Sequence, residues 1–300
     1  MRLGLDAMGG DFGPKVTLEG AIEAAQMLPE DTIVLYGKED FIRKEEHELY
    51  KWKPWKKIPH NLVIEHCEES VGMDEKPHKA FREKPYSSIA IALRDHKEGK
   101  IDGFVSAGNT GAVMMSSAMI LGRIEGVSKP AIAAIAPANN ESGRALILDV
   151  GANVDIKPQH MLEFAIMGQL YVQLVNEVKE PKVAILSIGE EETKGNQLTL
   201  AAYKLLKEKL PNFMGNIEGR DIIAGKADVV VMDGFVGNVV LKLIEGIAGT
   251  LFKEFHNIIK KSVRAKVGTV FFNNEIKAIK KNYDYAEYGG APLLGLAGNV

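Results

Sequence analysis

A length of 300 residues suits about two domains, and 46% hydrophobic against 26% charged residues is the mix of a globular chain with a large core, which excludes a disordered, collagen-like or coiled-coil protein. Lys plus Arg number 37 against 40 Asp plus Glu, so no global positive field points to nucleic acid; the single cysteine, Cys67, excludes an internal disulfide and a cysteine-rich zinc site and fits a reducing cytosol. Glycine is the telling count: there are 30, against a usual share of roughly 7%, and they cluster.

Residues 2–7 read as a strand, followed by Met8-Gly9-Gly10-Asp11-Phe12-Gly13 and a helix opened by Pro14. Strands are predicted at 32–36 and 62–67. Between them Lys51-Trp52-Lys53-Pro54-Trp55-Lys56-Lys57 reads as a surface insertion, the alternative being an aromatic-basic contact for nucleic acid or headgroups. A strand at 101–106 leads through Ala107-Gly108-Asn109-Thr110-Gly111 into an apolar helix from Ala112. A strand at 145–150 leads through Gly151-Ala152-Asn153 to a helix over 158–178, and one at 183–188 leads through residues 189–196 to a helix from Gln197. The last strand, 228–232, precedes Asp233-Gly234-Phe235-Val236-Gly237-Asn238. After it Val239, Val240, Leu243, Ile244, Ile247, Leu251, Phe255, Ile258 and Ile259 recur at spacings of three and four, which predicts a long amphipathic helix to about Ser262.

Strand, glycine loop, helix is the rhythm of parallel βαβ units, and the near-continuous apolar strands predict a sheet covered on both faces. Ligands of such sheets bind outside the carboxyl ends of the strands. The glycine loops are therefore expected to converge on one sheet edge, offering amides and helix N-termini suited to an anion. Asn109, Asn153, Asn196 and Asn238 stand in or beside these loops, where an uncharged amide can hold a polar ligand.

Other chemistries lack their motifs. There is no Gly-Lys-Ser/Thr after a glycine pair, no Gly-x-Ser-x-Gly, and no close histidine spacing for a metal, so neither a cofactor nor a metal is expected. The first loop matches a dinucleotide fingerprint only loosely, because Gly9, Gly10 and Gly13 have the wrong spacing. The N-terminus does not read as a signal peptide. The best membrane-span candidate, residues 239–252, is broken by Lys242 and Glu245, so the chain is expected to be soluble or to lie on a membrane surface. Residues 253–281 carry eight Lys/Arg and two Glu, a local excess of six positive charges around the apolar Val270-Phe271-Phe272. Such a basic helical hairpin can form a dimer interface, dock an acidic protein, lie on anionic lipid, or simply be a solvated face.

Six blocks carry a more specific signal: Asp6-Ala7-Met8-Gly9-Gly10-Asp11, Ser106-Ala107-Gly108-Asn109-Thr110-Gly111-Ala112, Asp149-Val150-Gly151-Ala152-Asn153, Lys194-Gly195-Asn196, Asp233-Gly234-Phe235-Val236-Gly237-Asn238 and Tyr288-Gly289-Gly290-Ala291. In this order they resemble the bacterial phosphate acyltransferase family over nearly the whole chain. The resemblance implies a Rossmann-like three-layer α/β/α sandwich with a mostly parallel sheet and a protruding helical hairpin, related to phosphotransacetylases. It implies transfer of an acyl group from acyl carrier protein to inorganic phosphate in phospholipid biosynthesis, by a cytoplasmic homodimer associated peripherally with the membrane. A membrane glycerol-3-phosphate acyltransferase would use the acyl phosphate. Members usually continue about thirty residues beyond Leu296, so a closing segment is expected to be missing after Val300.

On that resemblance the expected organisation is a core at 1–238, the hairpin at 239–285 and a return to the core at 286–300. Phosphate is expected on Gly108, Thr110 and Gly111, with Lys194 as charge partner. Asn109, Asn153 and Asn238 would orient it or donate to the oxyanion, Asn196 would join the substrate-binding set, and Asp233 would orient Lys194 or take a proton. Asp6 and Asp149, at strand ends, are read as positioning loops. The acidic carrier protein or the membrane would meet Arg82 and Lys84, or Lys260, Lys261, Arg264, Lys266, Phe271 and Phe272. The competing readings are a nicotinamide-dependent dehydrogenase and a non-catalytic lipid-surface adaptor.

Overall fold

The computed structural model describes residues 1–52, 57–261, 269, 272 and 289–300. Trp55, Arg264, Lys266 and Phe271, singled out above, lie outside the described residues. The chain divides into two units, one of residues 1–130 with 295–300 and one of residues 131–294.

The first unit is built on a parallel four-stranded sheet of order β3-β2-β1-β4, with β1 at Arg2–Asp6, β2 at Thr32–Gly37, β3 at Leu62–His66 and β4 at Gly103–Val105. Alternation along β1 and β2 divides the two faces. Leu3, Leu5, Ala7, Ile33 and Leu35 pack with Leu18, Ala21, Ile22 and Ala25 of α1 (Lys15–Met27). On the opposite face Tyr36 reaches α4 (Ser88–Lys97), where its hydroxyl donates to Asp95 at 3.0 Å. Gly4 lies on that second face because a side chain there would strike Ile101 at 2.6 Å. Both faces are covered, which explains the nearly continuous apolar pattern. Three more helices complete the unit: α2 (Glu39–Tyr50), α3 (Pro77–Glu83) and α5 (Thr110–Ile120).

The second unit holds a six-stranded sheet of order β10-β5-β6-β9-β7-β8. Its strands are β5 (Ala131–Pro137), β6 (Arg144–Leu148), β7 (Val183–Leu186), β8 (Phe213–Ile217), β9 (Val229–Val231) and β10 (Leu293–Leu294). The pairs β10·β5 and β5·β6 are antiparallel and the remainder parallel. Leu146, Leu148, Val183, Ile185, Val229 and Val231 pack against α6 (Pro158–Val175) and α7 (Gln197–Lys209), each such burial contributing about 1.5–3 kcal/mol. Gly168 lets α6 press onto the strands, since a Cβ there would meet Leu148 and Val229 at 2.6 Å. Helices α8 (Gly219–Ala224) and α9 (Gly234–Lys261) also belong to the unit.

Two expectations are corrected. The glycine loops follow strands of two sheets, not one. The segment Asp233 to Asn238 is not a loop: α9 begins at Gly234. By length and composition α9 is also long and apolar enough to cross a membrane, with a mean hydropathy of 1.5 over 18 residues of which 6% are buried, although its run is broken by Lys242 and Glu245. The apolar stripe itself follows the predicted spacing: Phe235, Val239, Leu243, Ile247, Leu251, Phe255 and Ile258 are all more than half exposed in the single chain.

Candidate active site

In the first unit the loops after β1 and β4 meet over Asp6. Its carboxylate is 2% exposed and accepts from Ser106 Oγ at 2.7 Å and from the Met8 amide at 3.1 Å. Ser106 Oγ in turn accepts from the Gly108 amide at 3.0 Å. Gly9 is so close that a Cβ on it would lie 2.6 Å from the Gly108 nitrogen. Burial pushes the Asp6 carboxyl above the usual aspartate range, against the opposing pull of the Ser88 and Ser106 hydroxyls and the Met8 and Gly9 amides. The glycines of the first loop are thus spent on close packing of chain against chain.

Asn109 is the N-cap of α5. Its Oδ1 accepts from Ala112 N at 3.0 Å, while Nδ2 donates to the carbonyls of Met73 at 2.8 Å and Glu75 at 2.9 Å. Both ends of the Asn109 amide are thus bonded within the fold. Thr110 and Gly111 follow it in the first turn, and Gly111 leaves room for Pro77 of α3, which a Cβ would meet at 2.7 Å. Lys84 follows α3 directly. It turns inward to Glu75 and to the Ser70 carbonyl at 2.7 Å, and this partner holds the Glu75 carboxyl below its ordinary range. Arg82 stays exposed on α3.

In the second unit Asp149, at the end of β6, is fully buried and accepts five hydrogen bonds. They come from the amides of Ile132, Gly151, Ala152 and Asn153 at 3.2, 3.1, 2.9 and 2.7 Å, and from Asn153 Nδ2 at 2.9 Å. The amide of Asn153 is therefore directed at Asp149 within the loop. Helix α9 sits directly on this loop: Gly234 N donates to the Asn153 carbonyl at 2.8 Å, and Asn238, exposed on the next turn, lies beside Gly151. Asp233 caps α9 by accepting from Val236 N at 2.9 Å. Among the described residues it makes no ion pair with Lys194, and its cap bond uses one carboxylate oxygen.

Lys194 stands exposed on the loop between β7 and α7, and among the described residues its ammonium makes no ion pair or hydrogen bond. The loop beneath it is fixed through its own carbonyl, which accepts from Ser187 Oγ at 3.3 Å. Asn196 caps α7 reciprocally with Thr199: Asn196 Oδ1 accepts from Thr199 N, and Thr199 Oγ1 accepts from Asn196 N, both at 2.9 Å. Beside these residues, at the carboxyl ends of β7 and β9, opens a cavity of about 370 Å³. Leu186, Ile188, Met232 and Val236 supply its apolar wall, with Ser187, Gly195, Asn196, Thr199, Gly219 and Asp233 around them. Ile188 and Met232 carry no chemical motif, and their only sequence signal is an apolar residue closing a predicted strand, whereas Val236 lies within the Asp233 to Asn238 block and the first turn of α9. A cavity of about 340 Å³ between α1 and α2, lined by Glu19, Glu45 and Glu48, lies away from the strand ends and the glycine loops.

The exposed Lys260 and Lys261 end α9, and Phe272 is 62% exposed. No group of three or more His, Cys, Asp or Glu able to hold a metal occurs among the described residues.

The family described as fatty acid synthesis protein matches residues 1–300. The phosphate acyltransferase of Dictyoglomus thermophilum is 46% identical, the match covering 100% of this chain and 87% of that protein. That of Pelotomaculum thermopropionicum is 48% identical over 99% of this chain and 84% of the relative. Among solved structures, a phosphotransacetylase from Streptococcus pyogenes is similar with a TM-score of 0.59 at 16% identity, covering 82% of each chain, which supports the Rossmann-like α/β/α fold. Full-length matches at this identity bear out the resemblance carried by the six sequence blocks: the chain belongs to the fatty acid synthesis protein family and is a phosphate acyltransferase.

Proposed function

We propose that the acyl donor is acyl carrier protein, the acceptor inorganic phosphate, and the product an acyl phosphate for phospholipid biosynthesis. A phosphate oxygen attacks the thioester carbonyl carbon, the tetrahedral oxyanion collapses, the C–S bond breaks, and the carrier thiol leaves with the phosphate proton. The acceptor is itself the nucleophile, so the protein's work is to hold it and to stabilise the oxyanion. The observation that carries this reading is Lys194: an exposed ammonium, without an ion pair among the described residues, on the loop after β7 and two residues before the capped N-terminus of α7. The Gly108–Gly111 turn at the start of α5 offers amides of the same kind in the first unit. Hydroxamate trapping of acyl phosphate, with and without phosphate, tests the reaction.

The chain acts in the cytoplasm on this reading, as a homodimer that touches the membrane, with the exposed α9 stripe and the basic segment beyond it as the contact surfaces. The acidic carrier would meet Arg82, or Lys260 and Lys261. Liposome flotation separates the roles: a Phe271→Asp, Phe272→Asp variant is expected to lose association with anionic vesicles, and unchanged flotation would remove the lipid contact from the reading.

A further inference from the structure

We propose that the cavity between α7 and α9 is the acyl-chain subsite and that Val236 and Ile188 set the chain length it accepts; this rests on the acyltransferase reading. Several polar groups around the cavity are engaged within the fold. Ser187 Oγ donates to the Lys194 carbonyl, Asn196 and Thr199 cap each other, and Asp233 caps α9. A guest is left the hydrocarbon of Leu186, Ile188, Met232 and Val236 and the bare backbone of two glycines. Its volume of about 370 Å³ is that of a small-ligand site, and Ile188 is 80% exposed among the described residues.

The charge arrangement fits one end of the same guest. Lys194 directly precedes the lining Gly195, and the N-termini of α7 and α9 bring Asn196 and Val236 to the cavity. Cation and helix N-termini complement a phosphate head, and the apolar wall complements the tail of the acyl phosphate. Val236 is the position to change because the cap on α9 uses its backbone amide, not its side chain. Each methylene in such a pocket is worth about tenfold or more in discrimination.

The test uses the full chain. Palmitoyl and octanoyl carrier protein are compared as donors, and photoreactive palmitate carrying a terminal diazirine is cross-linked and mapped by mass spectrometry. Val236→Phe is expected to lower the palmitoyl-to-octanoyl ratio of kcat/KM about tenfold or more, and Val236→Ala to raise it several-fold. The label is expected on peptides containing Ile188 or Val236. An unchanged ratio in both variants, or labelling confined to the α9 stripe beyond Val239, would overturn the subsite. A label in the cavity without phosphate-dependent turnover would keep the subsite and remove transfer to phosphate; turnover without a shifted ratio would do the reverse.

Discussion

Gly237 lies so close to Asp149 that a Cβ on it would stand 1.8 Å from the Asp149 carbonyl oxygen. The first two turns of α9 therefore rest on the loop after β6 with no room for a side chain. Gly237→Ala is expected to cost about 3 kcal/mol or more, because backbone and not a flexible side chain would have to move. Urea unfolding measures it. An alanine variant as stable as the wild type would mean that α9 does not dock here.

The carboxylate of Asp149 is the second half of that junction. With five donors directed at two oxygens, Asp149→Asn must turn an NH₂ toward amides that also donate. The expected loss is about 2–4 kcal/mol, read as a lower midpoint in thermal unfolding. A midpoint unchanged within error would contradict the donor count.

Asp6 gives a pH signature of opposite sign to an ordinary paired carboxylate. Burial raises its folded value above the ordinary 3.8, so its contribution is complete below that value and is lost as pH rises through the raised one. Asp6→Asn keeps an acceptor and lets Ser106 re-aim its hydroxyl, but cannot ionise. The stability of the wild type relative to this variant is expected to fall as pH rises from 3.8 through the raised folded value. A difference that stays constant or grows over that range would refute the assignment.

Much of this arrangement was legible in the residues, for identifiable reasons. Strands such as β2 and β9 are apolar, rich in β-branched residues and buried almost throughout, so composition and burial agree. The strand β5 was not legible because Ala-Ile-Ala-Ala-Ile-Ala has low intrinsic strand preference and is held by pairing on both edges. The Asn residues show the other limit. Sequence placed Asn109, Asn153 and Asn196 beside the strand ends, yet turn formation and ligand binding want the same amide, and only the hydrogen bonds reveal that the caps and Asp149 take it. Glycine misled in the same way at Gly234 and Gly237, where it marks close approach within a helix rather than a loop.

Asn109→Asp separates capping from bridging. The carboxylate keeps the acceptor for Ala112 N but presents oxygen to the carbonyls of Met73 and Glu75. Losing both donations is expected to cost about 1–3 kcal/mol and to speed proteolysis within residues 70–76. Equal stability and equal cleavage would show that the bridge to that segment is not needed.

The central claim is transfer of an acyl group to phosphate at a site served by Lys194. The most direct measurement incubates the full chain with palmitoyl carrier protein and phosphate and traps acyl phosphate as its hydroxamate, for wild type and Lys194→Ala at matched thermal stability. The expected result is product that requires phosphate and falls about a hundredfold or more in the variant. Folded wild type giving no phosphate-dependent product, or a variant as active as wild type, would contradict it.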